Sequence, residues 1–117
     1  MPYAIRTTRL KKNLGLLNQL YKAKPKLRKA VLECADKDTI HCLCECCYNI
    51  LNGNIPLSPQ HKKALSRYRK DIRFLGSKSG AVKKKQQLLA QKGGLVSAVL
   101  APLLAVAASL LAEWMAK

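Results

Sequence analysis

All of the net charge of this 117-residue chain lies on one side of two adjacent glycines, Gly93 and Gly94, and this division limits how the chain can fold. Residues 1–94 hold 21 Lys and Arg against 5 Asp and Glu, whereas residues 95–117 hold one of each, so the whole excess of +16 precedes the border. Glycine reaches left-handed backbone angles at no steric cost, so the pair is a good place for a helix to end. The pattern predicts a cationic part joined to an apolar part.

Apolar residues recur at spacings of three and four through most of the cationic part, which is the period of an amphipathic α-helix. After a basic arm of residues 1–7, we expect helices at about residues 8–22, 25–34, 37–51, 59–75 and 81–91. No strand-type alternation competes with these helical periods. The predicted fold class is all-α: a small basic helical bundle of four to five short helices, residues 8–94, followed by an apolar C-terminal helix, residues 95–117, broken near Pro102.

The apolar stripes of these helices predict the side chains that fill the core. The expected core residues are Leu10, Leu14, Leu17, Leu20, Tyr21, Leu27, Ala30, Val31, Cys34, Ile40, Leu43, Cys44, Cys47, Ile50, Leu51, Leu65, Tyr68, Ile72 and Leu75. The helix at 37–51 is the least charged of the cationic part, so we place it at the centre. Lysines and arginines fall mostly off the stripes and are expected to face solvent.

A net charge of +16 on so short a chain repels itself in a compact fold, and a polyanion relieves that repulsion. The cations occur on four helices and no zinc-finger, homeodomain or RNA-stacking motif is visible, which favours phosphate contacts without sequence preference. Nucleic acid, double-stranded DNA first, is the leading partner; an anionic membrane and a merely solvated basic surface are the alternatives. The predicted nucleic-acid-binding residues are Lys62, Lys63, Arg67, Arg69, Lys70, Arg73, Lys83, Lys84 and Lys85, with a second patch of Arg9, Lys11, Lys12, Lys26, Arg28 and Lys29.

Five cysteines and a histidine lie close together, at Cys34, His41, Cys42, Cys44, Cys46 and Cys47. Successive residues of one helix point about 100° apart, so this crowding does not direct four ligands onto a tetrahedral zinc ion. We expect buried, reduced thiols and no metal, with a zinc site that includes His61, or oxidative cross-linking, as the alternatives. Carboxylates are few and no nucleophile has a patterned histidine partner, so we expect neither enzymatic activity nor a cofactor.

The apolar part contains eighteen successive residues without charge, 95–112, which as a helix would rise about 27 Å, close to the thickness of a bilayer core. Trp114 and Lys117 would suit a membrane interface, but Pro102 and many alanines make the segment only moderately apolar. Four alternatives stay open for it: membrane insertion or membrane activity, packing on the basic helices, self-association through residues 95–117, and removal by proteolysis.

The stretch Ile50-Leu51-Asn52-Gly53-Asn54-Ile55-Pro56-Leu57-Ser58, with His61-Lys62-Lys63 and Tyr68-Arg69-Lys70 after it, resembles short basic proteins of Polinton (Maverick) transposons and adintoviruses. Those proteins resemble the precursor of the small adenovirus core protein, a basic DNA-condensing segment followed by an apolar C-terminal piece. The resemblance covers about residues 8–112. It implies a virion core or minor structural protein that binds the genome, located in the virion and, during assembly, in the host nucleus or cytoplasm.

The same resemblance implies a proteolytic site. Adenovirus-type cysteine proteases favour an apolar residue or Gln/Asn, then any residue, then Gly-Gly, and cut after the second glycine. Gln91-Lys92-Gly93-Gly94 matches that pattern, so such a protease is an expected partner that cuts between Gly94 and Leu95. The chain departs from the adenovirus pattern in its few arginines and its cysteine-rich central helix, which leaves room for a folded scaffold role.

Overall fold

The computed structural model describes the backbone of residues 7–116 and the side chains of residues 9–106. Apart from Thr7, the predicted basic arm lies outside the described residues. The described part is all-helical, which confirms the predicted fold class. Its helices are α1 (Thr7–Lys22), α2 (Pro25–Glu33), α3 (Lys37–Leu51), α4 (Pro59–Ser66), α5 (Arg69–Gly76), α6 (Val82–Gln91) and α7 (Gly93–Ala116).

Short-range chemistry sets several helix ends. The Asp36 side chain accepts a hydrogen bond from the backbone N–H of Thr39 and so caps α3. The Ser58 side chain caps α4, because it accepts from the backbone N–H of His61. Pro25 and Pro59 occupy first helical positions, where their missing N–H leaves no bond unmade. Gly53, with a φ of 72°, turns the chain after α3 in a conformation that favours glycine.

The helix expected at 59–75 is two helices, α4 and α5, because the chain breaks at residues 67–68. Tyr68 has φ −115° and ψ 22°, outside the helical range, and it starts α5. The break lets the two short helices pack against different partners, since α4 contacts α7 while α5 contacts α3. Leu65, Ile72 and Leu75 are buried as predicted, and Tyr68 is half-buried.

Helix α3 lies at the centre of the core, which confirms the prediction from its low charge. It contacts α1, α5, α6 and α7. Ile40, Leu43 and Cys47 are at most 1% exposed. The buried face also includes Cys42 and Cys46, whereas Cys44 is half-buried and Leu51, predicted to be in the core, is 43% exposed.

The first part of α7 belongs to the same core. Its five most buried side chains are at most 1% exposed, and they are Leu95, Val96, Val99, Leu100 and Leu103. The helix contacts α1, α2, α3, α4 and α6. The separation expected between residues 1–94 and 95–117 therefore does not hold for residues 95–103. The basic helices are too short to fill a core alone, and the burial of these apolar side chains makes up the deficit.

Gly93 and Gly94 do not end a helix, because they are the first two residues of α7 and Lys92 separates α7 from α6. Helix α6 and residues 93–106 of α7 meet at an angle of 96°. A Cβ atom on Gly94 would overlap the Tyr68 hydroxyl oxygen, and one on Gly93 would lie 3.1 Å from Arg28 Nη1. A larger residue at either position would therefore require the Tyr68 or the Arg28 side chain to shift. The break expected near Pro102 is absent, since Pro102 lies inside the continuous helix α7.

Candidate nucleic-acid interface

Twelve of the fifteen predicted nucleic-acid contacts are exposed side chains. They are Lys11, Lys12, Lys26, Lys29, Lys62, Lys63, Arg67, Arg69, Lys70, Arg73, Lys83 and Lys84. The other three, Arg9, Arg28 and Lys85, are buried or engaged with other groups of the fold. Five further exposed lysines of the described part, Lys22, Lys24, Lys37, Lys78 and Lys92, were not predicted as contacts.

Six of the exposed cations lie on two successive short helices and the break between them, and we call them the α4–α5 ridge: Lys62, Lys63, Arg67, Arg69, Lys70 and Arg73. Within the described residues none of the six pairs with a carboxylate. Asp71 is the only acidic residue of these helices, and its Oδ2 accepts instead from Lys92 Nζ at 2.8 Å. The ridge therefore presents uncompensated positive charge to solvent.

A second set of cations lies where α2 packs against α6, and we call it the α2–α6 patch: Lys26, Lys29, Lys83 and Lys84. Lys29 and Lys83 line one groove of about 410 Å³ between the two helices, together with the carboxylate of Glu33. The Gln86 amide donates to the carbonyls of Leu32 and Ala35, at 2.8 and 3.0 Å, and so ties α6 to the end of α2. The fold thus joins cations that are more than fifty residues apart in sequence.

Arg28, predicted to bind nucleic acid, is instead part of the packed interior. It is 8% exposed, and its guanidinium donates to the carbonyls of Leu20, Tyr21, Ala23 and Gly93, at 2.9 to 3.3 Å. This prediction was wrong because the C-terminal carbonyls of α1 need donors, and a cation there is further favoured by the helix dipole.

The buried face of α2 is rotated accordingly. Leu27 is 59% exposed, and Ala30 and Cys34 are also exposed, contrary to the predicted stripe. Leu32 is fully buried in their place, and Val31 is half-buried. With Arg28 inside, positions 28 and 32 face the core, since residues four apart share one side of a helix.

Lys85 also departs from its predicted role, because only 7% of it is exposed. Its Nζ donates to the carbonyl of Ser77 at 2.6 Å and lies 5.8 Å from the centre of the Phe74 ring. Lys83 and Lys84 remain exposed, so the three successive lysines do not act as a unit. Successive helical residues point about 100° apart, so three successive lysines need not share one environment.

Arg9 is the third correction, since it forms ion pairs within the fold. Its Nε donates to Asp38 at 3.0 Å and its Nη1 donates to Glu45, which links α1 to α3. Lys12 Nζ lies 3.7 Å from Asp38 as well, but its side chain remains 71% exposed and can still reach a phosphate. The pairs take up two of the few carboxylates of the chain.

Most of the carboxylates in the described chain form hydrogen bonds or ion pairs with other groups of the protein. The backbone hydrogen bond from Thr39 lowers the pKa of Asp36, and the hydrogen bond from the Asn13 amide lowers the pKa of Asp38. Asp38, Glu45 and Asp71 each pair with a cation. The ridge and the patch have little internal negative charge to neutralise them.

All five cysteines lie in the described part of the chain, and none forms a disulfide. Burial raises the pKa of Cys44 to about 11, against the opposing effect of the nearby Lys85 ammonium. Burial also raises the pKa of Cys47, and a hydrogen bond with Cys42 raises that of Cys46. Protonated thiols are poor nucleophiles, so these three cysteines behave as core side chains.

Within the described ranges no three His, Cys, Asp or Glu side chains come together as metal ligands would.

The predicted cleavage site lies in the first turn of α7. The Leu95 N–H donates to the Lys92 carbonyl at 3.1 Å, the Gly93 carbonyl accepts from Arg28, and the Leu95 side chain is fully buried. A protease cleft takes its substrate in an extended form. A cut between Gly94 and Leu95 therefore requires the start of α7 to open first.

Within the described residues, no single helix is long and apolar enough to cross a membrane. Helix α6 together with residues 93–106 passes that test by length and composition, as a pair bent by 96°.

Comparisons of the chain with models of known protein families, with curated proteins and with solved structures found no match.

Proposed function

We propose that this protein binds nucleic acid without sequence preference, through phosphate contacts made by the α4–α5 ridge and the α2–α6 patch. The observation that supports this most directly is the uncompensated charge of the ridge, six exposed cations without a carboxylate partner in the described chain. A duplex offers a regular array of negative charge that such a surface can neutralise, with release of condensed counterions.

Double-stranded DNA is the proposed partner, and the resemblance to Polinton and adintovirus proteins adds the proposal that the setting is a virion core. If the role is as proposed, the chain co-purifies with genome-containing particles. Mass spectrometry of such particles would then show whether its C-terminus is Gly94, as the processing proposal requires.

The central experiment measures binding of the full chain to a labelled 20-base-pair duplex by fluorescence anisotropy at 50 to 300 mM salt. The full chain is needed because residues 95–103 supply part of the core. With about six phosphates neutralised, the slope of log K against log salt should be roughly −5. Two duplexes of unrelated sequence should bind within about twofold of each other. A flat salt profile would rule out the proposal.

A charge-matched pair of variants tests whether the ridge makes the contacts. Replacement of Arg67, Arg69 and Lys70 by Gln should reduce the magnitude of the salt slope by about 3, since each lost phosphate contact removes about one unit. Replacement of Lys22, Lys24 and Lys37 by Gln changes the net charge equally, and should alter the slope by less than about 1. Equal effects of the two triple variants would contradict a localised interface.

A membrane-active role is a second proposal, favoured by the length and composition of the bent pair α6 and residues 93–106. It would require Leu95, Val96, Val99, Leu100 and Leu103 to leave the core. Dye release from vesicles with anionic lipid is its test. Release by the full chain would support it, whereas no release from anionic vesicles at low salt would remove it.

A further inference from the structure

A pocket of about 340 Å³ opens between α3, the turn of residues 77–80 and the start of α6. Its walls include the apolar side chains of Ile40, Leu75 and Val82 and the ring of Tyr48. This volume lies in the lower range of small-molecule sites, which combine apolar walls with a few polar groups. Because the lining comes from residues between 9 and 85, no local sequence motif indicated it.

Lys85 forms part of the pocket wall as a buried cation. It is 7% exposed, and among the described residues its one hydrogen bond is from Nζ to the carbonyl of Ser77. An ammonium group has three donors, so two have no acceptor in the described part of the chain. No carboxylate in the described chain lies within ion-pair distance of it. Burial of an uncompensated charge is costly, and an anion held in the pocket would offset that cost.

The other charges of the lining leave the excess positive. Glu45 is the one carboxylate there, and Arg9, also in the lining, pairs with it. Lys78, at the same turn as Ser77, adds positive charge to the lining. A phosphate monoester carries a charge of about −1.5 to −2 near neutral pH and offers three acceptor oxygens, so it carries more negative charge than a carboxylate and can accept from the remaining donors of Lys85.

We propose that this pocket binds a small phosphorylated ligand of about the size of a nucleoside monophosphate. Lys85 contacts the phosphate, and the walls formed by Tyr48, Leu75 and Val82 contact the uncharged part. This proposal does not rest on DNA binding by the ridge, because Lys85 is buried beside Ser77 and contributes nothing to the exposed cations.

Isothermal titration of the full chain with three probes tests the proposal: adenosine 5′-monophosphate (AMP), adenosine and inorganic phosphate. We expect AMP to bind at least tenfold more tightly than adenosine and than inorganic phosphate, because both halves of the ligand contribute. Equal affinity for AMP and adenosine, or for AMP and inorganic phosphate, would overturn the proposal. Saturating AMP should leave the affinity for duplex DNA within twofold. Competition between the two would assign the pocket to the phosphates of nucleic acid instead, and would overturn it as well.

Two neighbouring lysines provide the matched variants. Lys85→Met keeps the apolar stem and removes the charge, and should weaken AMP binding at least tenfold while leaving the DNA salt slope unchanged. Lys84→Met makes the same charge change on an exposed side chain, and should leave AMP binding within twofold. Val82→Phe narrows the pocket without a charge change and should also weaken AMP binding, which keeps the test valid if Lys85→Met is not folded. Unchanged AMP affinity in a folded Lys85→Met or Val82→Phe protein would overturn the proposal.

Discussion

Cationic side chains have opposite environments on the α4–α5 ridge and at Arg28, where α1, α2 and the start of α7 meet; we call the second place the Arg28 joint. On the ridge, six cations face solvent and pair with no carboxylate in the described chain. At the joint, Arg28 lies inside and donates to four backbone carbonyls. Positive charge in this protein is therefore placed in two ways, exposed to solvent on the ridge and used to complete backbone hydrogen bonds at Arg28.

The difference follows from how each helix ends. Helix α1 is followed by Ala23, Lys24 and Pro25, so no glycine is available for a left-handed cap and proline has no N–H to offer. The carbonyls of Leu20 and Tyr21 then depend on a side-chain donor, which Arg28 supplies. Each ridge helix has a backbone donor for its last carbonyls, at Arg67 and at Ser77, and leaves its cations available.

The largest expected effect comes from removal of residues 95–117. If the cationic helices were an independent domain, the fragment 1–94 would fold alone. We expect instead that it loses its cooperative thermal transition and most of its helical circular dichroism. Five fully buried side chains of α7 contribute roughly 1.5 to 3 kcal/mol each, which together is comparable to the whole stability of a small domain. A cooperative transition of fragment 1–94 within 10 °C of the full chain, in the same scan, would refute this.

Next in size is the effect of Arg28→Met, which tests the joint directly. The substitution leaves the carbonyls of Leu20, Ala23 and Gly93 without that donor, and should destabilise the protein by about 2 to 4 kcal/mol in urea denaturation. Lys29→Met, at an exposed position of the same helix, should cost less than about 0.5 kcal/mol. If the two variants proved equally stable, Arg28 would be a surface cation like those of the ridge.

A smaller effect is expected at the glycine border. Gly94→Ala places a Cβ against the Tyr68 hydroxyl and should cost about 1 to 3 kcal/mol. The second change Tyr68→Phe, which removes that oxygen, should recover part of the loss. Gly15→Ala is the control, because nothing lies within 4 Å of a Cβ there, and in mid-helix it should stabilise the protein by about 0.5 to 1 kcal/mol. Destabilisation of similar size at both positions would indicate that the close approach at Gly94 is unimportant.

The smallest expected effect is a change in the pH dependence of stability, caused by the hydrogen-bonded carboxylates of Asp36 and Asp38. The folded-state pKa of Asp36 and of Asp38 is lowered, so these carboxylates stabilise the protein above their unfolded pKa, about 4, and that contribution is lost as the pH falls through the folded pKa. The urea midpoint should therefore decline below about pH 4. Asp36→Ser keeps a helix cap without a titrating group and should flatten the decline. An acid profile identical to that of the unmodified chain would argue against the Asp36 contribution.

Helix positions were predictable from sequence because apolar spacing and proline placement act locally. The spacing of Leu10, Leu17 and Leu20 identified the buried face of α1, and the low charge of α3 identified the central helix. The break at Tyr68 was not predictable, since it depends on α4 and α5 having different packing partners. The same holds for α7, whose composition suits a membrane, a partner or a core equally well.

The residues of the candidate interface could be predicted only where a charged side chain is also an exposed one. Lys83, Lys84 and Lys85 are identical in type, and only the structure distinguishes the third, whose environment is made by Ser77 and Phe74. Arg28 was assigned to solvent because arginine is seldom buried. The carbonyls that bury it come from α1 and from the start of α7, so no pattern within α2 could indicate its position.

The entry of α7 into the core sets an order of events during synthesis. Helices α1 to α6 leave the ribosome before residues 95–103, the segment against which they pack. Until that segment emerges, the nascent chain exposes its cations without a finished interior, and polyanions such as ribosomal RNA lie close by. Productive folding of this chain therefore depends on how long an incomplete, highly cationic intermediate can avoid such encounters.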